Sequence, residues 1–225
     1  MTSPRQNPTH ALPPRPLLRG LLHLGACVAA IAGIVVMLLL AHNARGYVGA
    51  AVFGASLILV YGTSASYHRI PWGRRMGSVM RRLDHAMIFV LIAGTYTPFC
   101  LLALSNAWGI GLLSVTAGIA TAGALTRLAW LNTPRRLAVL LYLAAGWVAL
   151  VAASQIPQRL DTAPLGLLLL GGIAYSVGAI AYAAKRPDPW PRVFGYHEVF
   201  HSFTIAGSLA HFGAVLLVLR ASQAW

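Results

Sequence analysis

Six polar side chains interrupt the long apolar stretches of this sequence, and all are of types that bind metal ions or move protons. They are Ser64 and His68 at the end of the second stretch, Asp84 and His85 at the start of the third, and His197 and His201 at the start of the seventh. Polar and ionisable groups inside membrane-spanning segments are costly and usually mark function. If these stretches cross a bilayer, the six residues are candidates for a buried site.

His197 and His201 have the spacing that places two imidazoles on one face of a helix, about 6 Å apart along its axis. Two such side chains can bind one metal ion, as in helical zinc sites. A third ligand from another helix would leave one coordination position open for water, and His68 is the best candidate. We expect four other histidines to be structural or interfacial: His10, His23, His42 and His211.

Asp84 and Ser64 have two interpretations each. Asp84 could hold or deprotonate a metal-bound water, or it could pair with Arg81 and Arg82 or with the positive end of a helix dipole. Ser64 could donate a hydrogen bond to a substrate carbonyl or to the same water, or it could bond back to its own helix.

Residues 197–201 also spell H-E-x-x-H, the signature of zinc metalloproteases. On this interpretation Glu198 is the general base of an intramembrane protease. The signal is weak because two of its five positions are free, and Glu198 could instead be a first-turn acid that stabilises the helix dipole.

The apolar stretches themselves predict the fold. Hydrophobic residues make up 58% of the 225 positions and charged residues 9%, which excludes an ordinary water-soluble domain. A helix needs about 20 residues to cross a bilayer, and period-two alternation typical of membrane barrels is absent. The sequence therefore predicts an all-α membrane protein, with a disordered Pro-rich cytoplasmic tail of residues 1–19 and a seven-helix transmembrane bundle of residues 20–225. The seven spans are residues 21–41, 48–67, 86–104, 108–128, 137–153, 164–184 and 199–219.

Lysine and arginine are distributed unevenly between the two sides of these spans. With the N terminus cytoplasmic, 14 of the 17 lie on the cytoplasmic side and only Arg45, Arg159 and Arg220 lie outside. This bias predicts a cytoplasmic N terminus and an external C terminus. It also accounts for the net charge of +13 without a nucleic-acid partner. Even-numbered spans then end, and odd-numbered spans begin, at one face, so the six candidate residues can meet in one leaflet.

Other features of the spans concern packing and access. Pro98 is expected to kink the third span and open a lateral gap. The outer halves of the spans hold few polar residues beyond Ser105 and Asn106. Residues 69–82 are expected to form a positively charged loop, with a segment lying along the headgroups as the alternative.

Three segments together form a recognisable pattern. They are Ser64-Ala-Ser-Tyr-His68, then Arg82-Leu-Asp84-His85 continuing to Leu91-Ile-Ala-Gly-Thr-Tyr-Thr-Pro-Phe99, and His197-Glu-Val-Phe-His201 followed by Ala206-Gly207. In order, spacing and span number they resemble the hemolysin III family, the bacterial relatives of the progestin and adipoQ (adiponectin) receptors. The resemblance covers nearly the whole chain, residues 18–219.

The resemblance implies a seven-helix bundle with a cytoplasmic N terminus, located in the bacterial inner (cell) membrane. It implies a Zn²⁺ ion held by His68, His197 and His201, with Asp84 positioning a water and Ser64 nearby. It also implies a ceramidase-like activity on membrane lipids.

We therefore expect a zinc-dependent hydrolase that cleaves an amide or ester bond of a membrane lipid near the cytoplasmic leaflet. The alternative is a channel-forming cytolysin (haemolysin) or transporter, although polar groups crowded at one end weigh against a pore. A receptor-like or structural zinc protein without catalysis is the second alternative. Membrane lipids are the expected partners, while the lipid itself, the oligomeric state and the roles of Glu198 and His85 stay open.

Overall fold

A computed structural model of the chain describes residues 16–130, 133–152, 154–155 and 160–222. This part of the chain contains seven helical segments long and apolar enough to cross a membrane, so the prediction of an all-α seven-helix membrane protein is confirmed. The helices are α1 (Leu21–Leu40), α2 (Ala44–Arg69), α3 (Arg74–Leu102), α4 (Asn106–Ala129), α5 (Arg135–Gly146), α6 (Thr162–Ala184) and α7 (Tyr196–Ala221). Residues 1–15 of the expected tail lie outside the described residues.

Neighbouring helices in the chain pack against one another, and α7 closes the bundle. It packs against α6 on one side and α1 on the other, and it also contacts α2 and α3. Most of the buried apolar core joins α1, α2, α3 and α7, with Phe53, Met37 and Leu219 among its fully buried side chains. Because α7 contacts α2 inside the bundle, polar residues of these two helices can meet away from lipid.

The two ends of the bundle differ in charge. We call the histidine end the one where α2, α4 and α6 end and α1, α3, α5 and α7 begin. The described basic residues at this end are Arg19, Arg69, Arg74, Arg75, Arg81, Arg82, Arg127, Arg135, Arg136, Lys185, Arg186 and Arg192. Arg45 and Arg220 lie at the opposite end, and Arg5, Arg15 and Arg159 lie outside the described residues. By the positive-inside rule the histidine end is predicted to be cytoplasmic.

Helix α3 begins 12 residues earlier than the predicted span. It starts at Arg74, so the connection from α2 is only residues 70–73 and the expected loop over residues 69–82 is wrong. Hydropathy marks the part of a helix that matches the lipid core, whereas Arg, Met and Leu continue a helix well beyond it. Asp84 consequently lies about three turns inside α3, which removes the helix-dipole interpretation of its carboxylate.

The fifth span is interrupted within the bilayer. Its α-helix ends at Gly146, and residues Trp147–Ala152 continue as a 3₁₀ helix. The hydroxyl of Tyr96 in α3 donates to the Gly146 carbonyl at 2.7 Å and accepts from the Ala149 amide at 2.7 Å. The Tyr96 side chain thereby supplies hydrogen bonds to backbone groups that lipid could not supply. Backbone that departs from the α-helical hydrogen-bond pattern at this depth requires such partners.

Pro98 does not open the gap that was expected in α3. Its side chain is among the fully buried ones, and α3 continues past it to Leu102. Gly49 of α2 lies so close that an added Cβ would be 3.0 Å from the Pro98 Cα. The small residue lets α2 pack directly against the proline, so this surface is closed.

Close packing of α6 on α7 predicts unequal effects of two glycine substitutions. A Cβ at Gly178 would lie 2.7 Å from the Cβ of Phe203, whereas nothing lies within 4 Å of a Cβ at Gly166, on the same helix. Both changes to alanine gain about 1 kcal/mol of helix propensity, but Gly178→Ala also overpacks the contact by about 1–3 kcal/mol. We expect thermal unfolding in detergent to show Gly178→Ala less stable than Gly166→Ala; equal melting temperatures would contradict the packing described.

Candidate metal centre

Helices α2 and α7 bring three histidines together at the histidine end. His68 lies in the last turn of α2, and His197 and His201 lie in the first two turns of α7. One ligand nitrogen from each lies within 4.8 Å of the other two. The side chain of His68 is 8% exposed, and His201 is 2% exposed. The predicted trio is therefore a compact, largely buried group of imidazoles.

This histidine group fits a divalent metal ion. Zinc bound by histidine nitrogens at about 2.0–2.1 Å places two of them about 3.3 Å apart in a tetrahedral shell. The Nε2 atoms of His68 and His197 are 3.1 Å apart. The buried Nδ1 of His201 makes no hydrogen bond to the described residues. Three protein ligands leave a fourth position for an exogenous ligand, which is the pattern of catalytic rather than closed structural zinc sites.

Asp84 lies directly beside the histidine group. Its Oδ2 is 4.0 Å from the Nε2 of His68, and its side chain is 12% exposed. The buried hydroxyl of Ser64, one turn before His68, lies close to the same carboxylate and can donate to it. The carboxylate is thus held between a hydroxyl and an imidazole, in reach of a water near the three histidines. A carboxylate in that position can accept a proton.

Both carboxylate oxygens of Glu198, by contrast, bond to groups other than the histidines. Its Oε2 accepts a hydrogen bond of 2.9 Å from the Gly195 amide, which caps α7. Its Oε1 forms an ion pair with Arg19, and Glu198 is 0% exposed. A metalloprotease base would have to face the metal-bound water. Because both oxygens are engaged elsewhere, the geometry does not support the protease interpretation of the H-E-x-x-H letters.

The segment before α1 packs over the site, which the sequence analysis missed. The amides of Leu17 and Leu18 donate to the carbonyls of Arg192 and Val193, at 3.0 Å and 3.2 Å, in the connection between α6 and α7. Gly20 follows with a φ of 79°, and an added Cβ would be 2.8 Å from the Cβ of His68. Glycine suits this position because it adopts positive φ readily and has no Cβ.

His23 was also missed as a neighbour of the site. It is 3% exposed, so the interfacial interpretation is wrong. Its ring stacks on that of His201 with centroids 3.7 Å apart and planes 15° apart. The signal was present in the sequence: His23 lies near the start of an odd-numbered span, where the topology also places Asp84 and His197.

The other histidines lie apart from the histidine group. His85 accepts a hydrogen bond at Nδ1 from Arg127, at 3.0 Å. His211 is 8% exposed, and its Nε2 donates to the Leu168 carbonyl at 3.1 Å. His42 is exposed at the opposite end. His10 lies outside the described residues.

Buried polar side chains reach farther from the site than the sequence analysis expected. Thr95 and Thr97 of α3 and Thr116 of α4 are buried in the far halves of their helices. Each donates to a carbonyl of its own helix, at 2.8 Å, 2.9 Å and 2.9 Å. Because these hydroxyls are satisfied locally, they do not resemble the lining of a hydrated pore.

Fold and site together define a multi-pass integral membrane protein with a buried histidine group able to hold a metal ion.

A family model described as "Haemolysin-III related" matches residues 13–212. The chain is 34% identical over 189 residues to the hemolysin-3 homolog of Bacillus subtilis (83% of this chain, 85% of the relative). It is 33% identical over 174 residues to hemolysin-3 of Bacillus cereus (77% and 76%). The adiponectin receptor protein of Drosophila melanogaster is 26% identical over 194 residues (73% and 41%). The chain belongs to the haemolysin-III related family, which confirms the resemblance found in its motifs.

Metal content should depend on the three clustered histidines and not on buried histidines in general. We expect His68→Ala, His197→Ala and His201→Ala to lower the metal bound per purified chain at least about tenfold, because each removes a ligand. His211→Ala is the matched control, since it removes a buried imidazole from the same helix outside the group. Elemental analysis by mass spectrometry measures the ratio; equal metal in all four variants would contradict the site.

Glu198 should contribute to stability and not to metal binding. Glu198→Gln removes the charge that faces Arg19 while its amide oxygen can still cap α7. We expect a loss of about 1–3 kcal/mol in unfolding free energy, discounted because Arg19 is partly exposed, with unchanged metal content. Combining it with Arg19→Met should recover part of the loss, because the unpaired cation is also removed. A fall in metal content in Glu198→Gln would instead place Glu198 at the metal.

Proposed function

We propose that this protein is a zinc-dependent hydrolase that cleaves an amide or ester bond of a membrane lipid at the histidine end. The observation that supports the proposal most directly is the placement of a carboxylate, Asp84, beside three clustered imidazoles. Three neutral nitrogen ligands with an acid beside them are the parts that metal-assisted hydrolysis requires.

His68, His197 and His201 would hold the metal, since they supply three nitrogens from two helices. Bound zinc would act as a Lewis acid that activates water and polarises a carbonyl. Asp84 would then accept a proton at Oδ2, the oxygen that lies 4.0 Å from the His68 Nε2. Ser64 would orient this carboxylate through its hydrogen bond, and its hydroxyl is the candidate donor to a substrate oxygen.

The helix bundle would exclude water from the site and hold the reacting groups in fixed positions. Ser64 and His201 are each 2% exposed, so charges that develop here are screened less than in bulk water. A lipid would enter laterally from the bilayer, with its polar linkage at the depth of the helix ends. The positive-inside bias supports a cytoplasmic position for this end, in the bacterial inner (cell) membrane that we propose for the protein.

The relatives' names raise a second candidate, a channel-forming haemolysin. Two Bacillus relatives carry the name hemolysin-3, and a cytolytic activity would need a path for ions or water. The buried threonine hydroxyls far from the site, those of Thr95, Thr97 and Thr116, bond to their own helices, which favours hydrolysis over conduction.

Replacing the carboxylate should separate catalysis from metal binding. We expect Asp84→Asn to keep its metal and to lose about 10²–10⁴-fold in turnover, because an amide cannot accept the proton. The measurement is release of free fatty acid from ceramide-type amides and from acyl esters by the purified protein in phosphatidylcholine vesicles.

Asp188→Asn provides a control for that experiment. Asp188 lies at the same end and accepts a hydrogen bond of 2.9 Å from the Tyr196 amide, which an asparagine oxygen can also accept. Its turnover should equal that of the wild type. Fatty-acid release that is unchanged in both Asp84→Asn and His201→Ala would overturn the hydrolase proposal.

A further inference from the structure

A second group of charged side chains lies at the histidine end, on the side of α3 that faces α4 and α5. It consists of Arg127 in the last turn of α4, His85 of α3 and Arg135 in the first turn of α5. Arg127, Arg81 and Arg135 all lie within electrostatic range of the His85 ring. We call Arg127, His85 and Arg135 the arginine cluster.

Arg127 is the member whose environment is unusual. It is 5% exposed, although an arginine is rarely buried unless it is paired. One guanidinium nitrogen bonds to the His85 Nδ1 at 3.0 Å. Nε and Nη1 are buried and make no hydrogen bond to the described residues, although the Tyr142 hydroxyl lies close to the guanidinium. A buried cation with two unused donors is costly, and an anion that accepts from both would remove that cost.

No side-chain carboxylate of the protein is free to serve as that anion. The chain has only four Asp and Glu residues. Glu198 pairs with Arg19 and Asp188 accepts from the Tyr196 amide. Asp84 lies beside Ser64 and His68, and Asp161 precedes α6 at the opposite end.

The neighbours of Arg127 are fixed in position by tyrosines. The Tyr142 hydroxyl donates to the His85 carbonyl at 3.2 Å. The Arg135 guanidinium lies 4.7 Å from the centre of the Tyr182 ring and donates to the Tyr182 carbonyl at 3.4 Å. Since His85 accepts at Nδ1, its ring proton lies on Nε2 and is available to a further acceptor. The cluster therefore combines two cations and one neutral donor in a preorganised arrangement.

We propose that the arginine cluster binds a phosphate-type oxyanion, supplied by the headgroup of an anionic membrane lipid. Guanidinium groups bind phosphate through paired hydrogen bonds, and basic pockets between transmembrane helices bind lipid headgroups. Arg127 is two residues from the end of α4 at Ala129, so it lies near one end of a predicted membrane span, where headgroups are expected. This binding is separate from hydrolysis at the histidine group, so it is tested by affinity and not by turnover.

The experiment measures lipid binding to the purified full chain in detergent after removal of endogenous lipid. Phosphatidic acid is the probe, diacylglycerol with the same acyl chains is the uncharged control, and inorganic phosphate is the soluble anion. Native mass spectrometry over a concentration series yields the dissociation constants. The variants are Arg127→Met, which removes the charge at similar length, and Arg136→Met, which removes an exposed charge beside the cluster.

We expect the wild type to bind phosphatidic acid at least about tenfold more tightly than diacylglycerol, and Arg127→Met to lose about tenfold to a hundredfold of that affinity. Arg136→Met should stay within about twofold of the wild type, because exposed charges contribute little. Without added lipid, Arg127→Met should unfold at a higher temperature than the wild type, since an unpaired buried cation is gone. If that variant does not fold, Arg127→Lys tests the same point, because lysine keeps the charge and loses the paired geometry.

Equal binding of phosphatidic acid and diacylglycerol by the wild type would overturn the proposal, as would unchanged affinity in Arg127→Met or Arg127→Lys. Inorganic phosphate that binds as tightly as phosphatidic acid would support the anion site and overturn its assignment to a lipid. A lower melting temperature of Arg127→Met without lipid, together with unaltered lipid affinity, would make Arg127 a structural residue only.

Discussion

The contact between α2 and α7 is the constraint on which the candidate site depends. His68 and His197 are separated by 129 positions along the chain, yet their Nε2 atoms are 3.1 Å apart. This proximity requires α7 to pack against α2, in addition to its contacts with α1, α3 and α6. Small residues make that packing close, as at Gly178 against Phe203. A shift of α7 by one helical turn, about 5.4 Å, would separate the histidine trio.

Lack of water in the bilayer explains how the remaining polar groups are arranged. Most find a partner within the bundle: threonines bond to their own helices, and Tyr96 satisfies the backbone where α5 ends. The exceptions include nitrogens of His23, His211, His201 and Arg127. The His201 Nδ1 and the Nε and Nη1 of Arg127 are buried without a hydrogen bond to the described residues. Both lie at the histidine end, where a metal ion and an anion are the natural complements.

The role of the glutamate in the H-E-x-x-H motif depends on the fold in which the motif lies. In a metalloprotease the glutamate faces the water on the metal. Here Glu198 caps α7 and pairs with Arg19, so the acid beside the histidines comes instead from α3, as Asp84. Two histidines one turn apart are therefore compatible with different catalytic acids, and the identity of the acid depends on which helix packs against them.

The sequence by itself determined the number of helices, the end of the bundle where the candidate site lies and the three histidines that cluster there, because hydropathy, positive charge and helical spacing are local properties of the chain. It placed the start of α3 too late, since hydropathy reports depth in lipid and not where a helix begins. Only the tertiary structure decided that His23 stacks on His201, that Arg19 engages Glu198 and that Arg127 lies buried beside His85. These contacts join residues that are distant in the chain. Which side chains meet depends on how each helix is rotated and packed, and no local sequence pattern encodes that arrangement.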